Sequence, residues 1–490
     1  MADRSGEFDM VVIGGGPGGY AAALYGGAAG LSVGLVEKAQ VGGTCLHRGC
    51  VPAKEFLETA NVYRTVRSAD EFGISTEPVA LDFARSAARK RRVVDQLHTG
   101  LQGLLKKRRV VTFAGTGTLQ RDRRVTVTAA DGSITELGAK WVVLASGSVP
   151  RTIPGFDVDG RFILTSDEFL SLERLPASAV VIGGGAIGCE FASTMADLGT
   201  QVTLLEAMDS ILPGCDGEVA DVVARSFSRR GINVRTSVAV RGHQPKGGVR
   251  TSVSFEKVVA RPAGGAAEAP EGQAQPVTAE EVTVEAVVVA VGRRPFSDGL
   301  LASDAGVETT ERGFVKVGAN METTSPGVFA VGDLVDTPQL AHVGFAEAIV
   351  AVKTMLGEPV APLDYSRVPW CIYCHPEAAF AGLTEAAAKE AGFEVVTHKT
   401  RFSGNSRAMI IGETEGMVKV IAERGPDGRA GRILGVHMAG PWATEQLGQG
   451  YLAVNWEALP EEAAAFIQPH PTLSETFGEA MLALSGRGLH

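Results

Sequence analysis

Residues 8–19 read FDMVVIGGGPGG, an apolar β-type run that closes on a glycine-rich turn and leads into the Ala-rich helical stretch 20–29. The glycines at Gly14, Gly16 and Gly19 form G-x-G-x-x-G. Alone that spacing is weak evidence. Here the next β-type run, LSVGLVEK, ends in Glu37, at the distance where a dinucleotide-binding βαβ unit places an acid on a ribose hydroxyl. The pattern recurs at AVVIGGGAIGCEFAS, with Gly183, Gly185 and Gly188, and the following strand QVTLLE ends in Glu206; each of these four positions lies 169 residues beyond its counterpart. In such a unit the first glycine permits the tight turn, the second lets a pyrophosphate approach the backbone, and the third packs the helix on the strand. Two copies predict two dinucleotides. Glu206 carries a charge that would repel a 2′-phosphate, and the residues after it, AMDS, offer no arginine to hold one. NAD is expected over NADP.

The rest of the composition narrows the field. At 490 residues the chain is long enough for several cores. Its formal charge of −10, with 46 Lys and Arg against 56 Asp and Glu, disfavours nucleic acid and anionic membranes as partners. Residues 11–36 lack charge over a bilayer-length span, but glycines divide them into strand, turn, helix and strand rather than one spanning helix. The N-terminus has no apolar signal core and no Arg/Ser-rich amphipathic pattern, so a cytoplasmic protein is expected. Six cysteines without a regular framework fit a reducing compartment, where paired cysteines are more often catalytic than structural.

Cys45 and Cys50 stand in VGGTCLHRGCVPAK. In a regular helix their Cα atoms would be ~8.6 Å apart, beyond the roughly 7 Å a disulfide spans; pairing therefore requires a distorted segment, for which Gly49 and Pro52 are suitable. Spacing alone leaves open two inert thiols. Near the other end, FIQPHPTLSETFGEAM sets His470 between prolines with Glu475 five residues on, a pattern that suits either a tautomer-fixed acid/base or a surface histidine beside a helix start. Asp333, in GVFAVGDLVDTPQLAHVGFAEA, follows an apolar strand and suits either a polyol contact or a helix N-cap. Cys371 and Cys374 in WCIYCHPE lack the second ligand pair a zinc site needs, so no metal is expected. Cys189 and Cys215 read as packing residues. The run Gly242–Glu280, especially RPAGGAAEAPEGQAQP at 261–276, reads as an exposed loop.

GGTCLHRGCVPAK resembles the active-site segment of the flavoprotein disulfide reductases, and HPTLSE resembles that family's His–Glu dyad. Similarity continues through VPWCIYCHPEAAFAGLTE, NSRAMI and GRILGVHMAGPWATEQ to the family's dimerisation domain. The resemblance implies that Cys45 is the interchange thiol that meets the substrate, Cys50 the thiol against the flavin, and His470 with Glu475 the acid/base. It further implies that Gly43, Thr44, Lys54 and Asp333 join Gly14, Gly16, Gly19 and Glu37 around FAD. Glu190, implied to pair with Lys54, and Gly292 join Gly183, Gly185, Gly188 and Glu206 around NAD. Two positions depart from the family: His47 stands where asparagine is usual, and Gln468 where a second histidine is usual.

The expected architecture is α/β, with two doubly wound Rossmann-like domains and a C-terminal α+β dimerisation domain. The segments are FAD-binding (1–150), NAD-binding (151–285), central (286–358) and interface (359–490). Within the family the wording of HPTLSE, Glu206 and the Gly-Thr-Cys-Leu start favour the branch that oxidises protein-bound dihydrolipoamide, electrons passing through the disulfide and FAD to NAD. That reading implies a homodimer and a lipoylated acyltransferase or lipoyl carrier protein as partner, in a 2-oxoacid dehydrogenase or glycine cleavage system. An NADH-driven reductase of another small disulfide is the alternative enzyme, and a redox-inactive docking scaffold the alternative of a different kind.

Overall fold

The computed structural model describes residues 6–258 and 279–489. Among these no helix is long and apolar enough to cross a membrane. The chain divides into two compact units.

The first unit comprises Met1–Glu55, Ala84–Arg151 and Gly292–Tyr365. Its sheet has a parallel centre in the order Val111–Ala114, Val33–Glu37, Glu7–Ile13, Ile134–Leu144, with Val328–Ala330 beside the last. Met10, Val11, Val12 and Ile13 are buried in succession, as required of a strand covered on both faces. The strand Ile134–Leu144 serves two sheet types. Its second half runs parallel to Glu7–Ile13, while its first half pairs antiparallel with Arg124–Thr128 and, through it, Thr116–Leu119. The helix Pro17–Ala28 buries only Gly and Ala, at Gly18, Gly19, Ala22, Ala23 and Gly26, and has Pro at its start, where the missing N–H costs nothing. Gly18 and Gly344 show why: a Cβ on Gly344 would lie 3.4 Å from the Gly18 nitrogen, so the helix Ala341–Met355 rests almost backbone to backbone on it.

The second unit comprises Phe56–Phe83, Thr152–Val291 and Ser366–His490. Its first sheet is wholly parallel, ordered Asn233–Arg235, Gln201–Leu205, Ser178–Ile182, Ala286–Val289, Ile163–Leu164. A five-stranded antiparallel sheet follows, Trp370–Ile372, Glu377–Gly382, Ala430–Gly440, Met417–Arg424 and Val395–Arg401, its apolar side covered by helices Ala443–Asn455 and Glu475–Leu484. The fold class is thus the expected one, two doubly wound nucleotide-binding folds with a terminal α+β domain.

One expectation is corrected. Part of the span Gly242–Glu280 is not loop: Val238–Lys246, Arg250–Lys257 and Glu280–Val284 form a three-stranded antiparallel sheet. Gly242 lies at a register shift and Pro245 on the edge strand, the places where a sheet tolerates these residues. The run 261–276 lies outside the described residues.

Two histidines, His437 buried and His375 half-buried, give the second unit a pH dependence. His437 Nδ1 accepts the Asp216 N–H at 3.1 Å and Nε2 donates to the Leu383 carbonyl at 3.0 Å, so the ring is held neutral. Burial pushes it down to about 4, and burial beside Arg64 and Arg230 pushes His375 down to about 3. With the folded values below the unfolded one, stability is complete above pH ~6.5 and is lost as pH falls toward those values, at most on the order of 3 kcal/mol for His437 and about 5 kcal/mol for His375. The urea midpoint is therefore expected to fall between pH 7 and pH 5, and His437→Gln, which keeps a donor and an acceptor, to reduce that fall. A midpoint independent of pH over this range would contradict it.

Candidate active site

The two glycine turns have the same geometry. Gly14 and Gly183 have φ of +105° and +108°, a region that favours glycine. A Cβ on Gly19 would lie 1.8 Å from the Gly14 oxygen, and one on Gly188 1.8 Å from that of Gly183; only glycine permits either helix to sit so close. Gly16 and Gly185 instead face open space, with nothing nearer than 4.0 Å at the first and nothing within 4 Å at the second. Both are N-caps without a side-chain cap, leaving helix-terminal N–H groups available to an anion. Both acids are anchored alike. Glu37 Oε2 accepts the Gly15 N–H at 2.7 Å and Oε1 that of Ala39 at 2.8 Å; Glu206 accepts from Gly184 at 2.5 Å and Met208 at 2.8 Å. A carboxylate offers about four acceptor sites, so each retains capacity for ribose hydroxyls. Beside Glu37 lies a cavity of about 1390 Å³ whose lining includes Ala39, Val41, His98, Gln102 and Lys106 and extends to Gly30 and Arg109, a volume that accommodates an adenosine half. The residues present therefore fit two dinucleotides.

The redox segment is broken where the sequence requires it. Helix Gly43–Arg48 ends at Gly49, whose φ and ψ of −147° and −111° are not helical, and a second helix begins at Cys50 and runs to Arg67. The break brings the Cys45 and Cys50 side chains into hydrogen-bond contact. That bond, then burial and the charge of Cys50, raise the Cys45 thiol, while Lys54 opposes the shift. Tyr20, in the first turn after the glycine motif, lies close enough for both cysteines to act on it; burial first, then their charges, push it up to about 12. Cys50 is exposed and Cys45 half-buried.

His47, one of the two departures from the family, donates from Nε2 to the Val41 carbonyl at 2.9 Å. Because a carbonyl only accepts, Nε2 carries the proton. His98 Nδ1 meets the same oxygen at 3.0 Å, the two rings 5.0 Å apart. His98 was not legible as a site residue, since nothing local marks a single histidine in the long helix Phe83–Lys107.

Asp333 does not cap a helix: it lies in the short 3-10 turn Gly332–Leu334, and the following helix is capped at Leu340. Its Oδ2 accepts the Ser148 hydroxyl at 2.5 Å. The turn is held from below by Glu347, which is fully buried and accepts the Gly332 N–H at 2.6 Å, Thr337 Oγ1 at 2.7 Å and Tyr365 OH at 3.0 Å. Sequence reasoning passed over Glu347, although a lone acid in an apolar helix was a usable signal.

In the second unit, Glu190 is 4% exposed and accepts the Tyr373 N–H at 3.0 Å. Gly292, at the start of the last segment of the first unit, has φ of +101°. His470 Nδ1 and Glu475 Oε1 are 2.7 Å apart, and Glu475 Oε2 accepts the Thr472 N–H at 2.7 Å. The carboxylate thus holds the proton on Nδ1 and leaves Nε2 as acceptor; the imidazole is 69% exposed. Gln468 packs on Gly478 of the following helix. Cys189, Cys215 and Cys374 are buried.

Residues 8–348 match the pyridine nucleotide-disulphide oxidoreductases, and residues 368–481 match the dimerisation domain of that family. The chain belongs to this family of oxidoreductases, whose fold binds FAD and NAD and whose terminal domain forms dimers. Its relatives are specific along the whole length. A dihydrolipoyl dehydrogenase of Bacillus subtilis is 38% identical over 493 residues, covering 99% of each chain, and one from Chlorobaculum tepidum is 38% identical over 97% of this chain and 96% of its own. The crystal structure of LpdA from Mycobacterium tuberculosis superposes with a TM-score of 0.86 at 26% identity, covering 97% of this chain and 99% of that one.

Proposed function

We propose that the protein is a dihydrolipoyl dehydrogenase, oxidising protein-bound dihydrolipoamide to lipoamide with NAD as final acceptor. The observation that carries the reading is the helix broken at Gly49, which sets Cys45 and Cys50 in contact beside a nucleotide-binding turn, in a chain whose relatives of that name match end to end. The FAD-binding (1–150), NAD-binding (151–285), central (286–358) and interface (359–490) division belongs to the same reading, as do a lipoylated acyltransferase or carrier protein as partner and a cytoplasmic location.

In this mechanism His470 Nε2 takes the proton from one thiol of dihydrolipoamide, and the thiolate attacks Cys45 Sγ. The Cys45–Cys50 bond breaks, a substrate–Cys45 disulfide forms, and Cys50 leaves as thiolate. The second substrate thiol attacks the substrate sulfur of that mixed disulfide, closing lipoamide and releasing Cys45. The pair of electrons now resides on the Cys45/Cys50 dithiol. Bound FAD supplies the two-electron acceptor between that dithiol and NAD. Glu475 keeps the imidazole in the accepting tautomer, Lys54 favours thiolate over thiol at Cys45, and the exposure of Cys50 leaves its sulfur accessible to a planar ring. The dimerisation domain carries His470, so each imidazole serves the disulfide of the other subunit.

Steady-state rates test the substrate: NAD reduction with dihydrolipoamide should far exceed NADH oxidation with glutathione disulfide or other small disulfides, and the reverse order would favour the alternative reductase. The cofactor preference is a second test. Glu206→Ala is expected to weaken NAD by roughly tenfold, the loss of a hydrogen bond to a charged group, and to narrow the preference over NADP by removing the repulsion. An unchanged affinity and preference would take Glu206 off the ribose.

A further inference from the structure

The geometry points to Arg293 as a positioning residue for the Asp333 carboxylate, the group read as holding the cofactor's polyol, with the Ser148 hydroxyl as the hydrogen-bonded link between them. This rests on the reading that Asp333 holds the polyol of FAD. Ser148 and Arg293 lie on two short antiparallel strands, Ser148–Pro150 and Arg293–Pro295, that place both side chains beside the turn carrying Asp333. Arg293 Nε donates to Ser148 Oγ at 2.7 Å, and a second guanidinium nitrogen donates to the Ser148 carbonyl at 2.9 Å. Ser148 Oγ in turn donates to Asp333 Oδ2 at 2.5 Å. Arg293 Nε stands 3.8 Å from that same oxygen, beyond hydrogen-bond reach. At that distance Arg293 pairs with the carboxylate by charge, while the hydrogen bonding that sets the orientation of the carboxylate runs through the serine.

The direction of the chain follows from donor inventory. Arginine has only donors and a hydroxyl only one proton. With a serine lone pair occupied by Arg293, that proton is left for Asp333. Both links are sheltered: Ser148 is 7% exposed and the Arg293 side chain 12%, so water competes poorly for either. Consequently Oδ2 is fixed and with it the rotation of the carboxylate, which leaves Oδ1 in one orientation. Without Arg293 the hydroxyl is free to turn its proton elsewhere, and a binding group that was preorganised must be ordered by the ligand.

The test uses protein stripped of FAD and titrated with it, affinity being read from quenching of flavin fluorescence, with the thermal midpoint of the apoprotein recorded alongside. Asp333→Ala, Ser148→Ala, Arg293→Met and the Ser148→Ala/Arg293→Met pair are compared. Ser148→Ala and Arg293→Met should each weaken FAD by about 10-fold or more, with little change in the apoprotein midpoint. The double variant should bind no worse than the weaker single, because both break the same chain. Should Arg293→Met fail to fold, Arg293→Gln takes its place. The relay is overturned if the double variant loses the product of the two single effects, or if Arg293→Met binds FAD as wild type while Asp333→Ala does not. Wild-type affinity in Asp333→Ala overturns the polyol reading, and the relay with it.

Discussion

Cys45→Ser is expected to lower NAD reduction by dihydrolipoamide by ~10⁴-fold or more, on the scale of removing a catalytic nucleophile, while the protein remains yellow and NAD still binds. Substrate electrons enter only by forming a sulfur–sulfur bond, and a serine oxygen at position 45 can neither be attacked by a thiolate nor return a disulfide. The turn at Gly14, the anchor on Glu37 and the Asp333 contact do not pass through Cys45, so FAD binding should survive. Retention of more than a tenth of the wild-type rate would mean that electrons enter elsewhere.

The second large effect belongs to His470. Its alanine variant loses the base that makes the attacking thiolate, a loss of about 10²–10⁴-fold. If His470 serves the disulfide of the other subunit, a mixed dimer of one Cys45→Ser chain and one His470→Ala chain holds one site with both defects and one with none. Differently tagged variants, co-expressed and isolated as the mixed dimer, should then recover about half the wild-type activity from two nearly inactive parents, as symmetry requires of a shared site. If the imidazole acted within its own chain, every site would carry one defect and the mixed dimer would stay inactive.

Much of this arrangement was legible because its constraints are local. The glycine turns announced themselves, since no other residue fits at 1.8 Å from the Gly14 or Gly183 oxygen, and each acid sits at the fixed end of its own βαβ unit. Likewise, the need for a distortion between Cys45 and Cys50 followed from helix geometry, and Gly49 supplies it. What escaped is long-range. Ser148, Arg293 and Asp333 are brought together by two strands whose pairing no local pattern reveals, and Glu347, though marked as a lone acid in an apolar helix, has no visible partner until the turn it holds is seen. His98 shares a carbonyl with His47 from 51 positions away. The strands taken for loop near Gly242 were misread for the opposite reason: glycine and proline were counted as breakers where an edge strand and a register shift accommodate them.

The central claim is that substrate electrons pass through Cys45 and Cys50 on their way to NAD. Mapping cysteine alkylation by mass spectrometry in three anaerobic states tests it: protein as oxidised, protein after dihydrolipoamide without NAD, and the latter after NAD is added. The expected result is that Cys45 and Cys50 resist alkylation in the first state, take it up in the second and resist it again in the third, while the buried Cys189, Cys215 and Cys374 are unmodified throughout. Reactivity at Cys45 and Cys50 that ignores dihydrolipoamide and NAD, or a cycle of protection at any other pair, would contradict it.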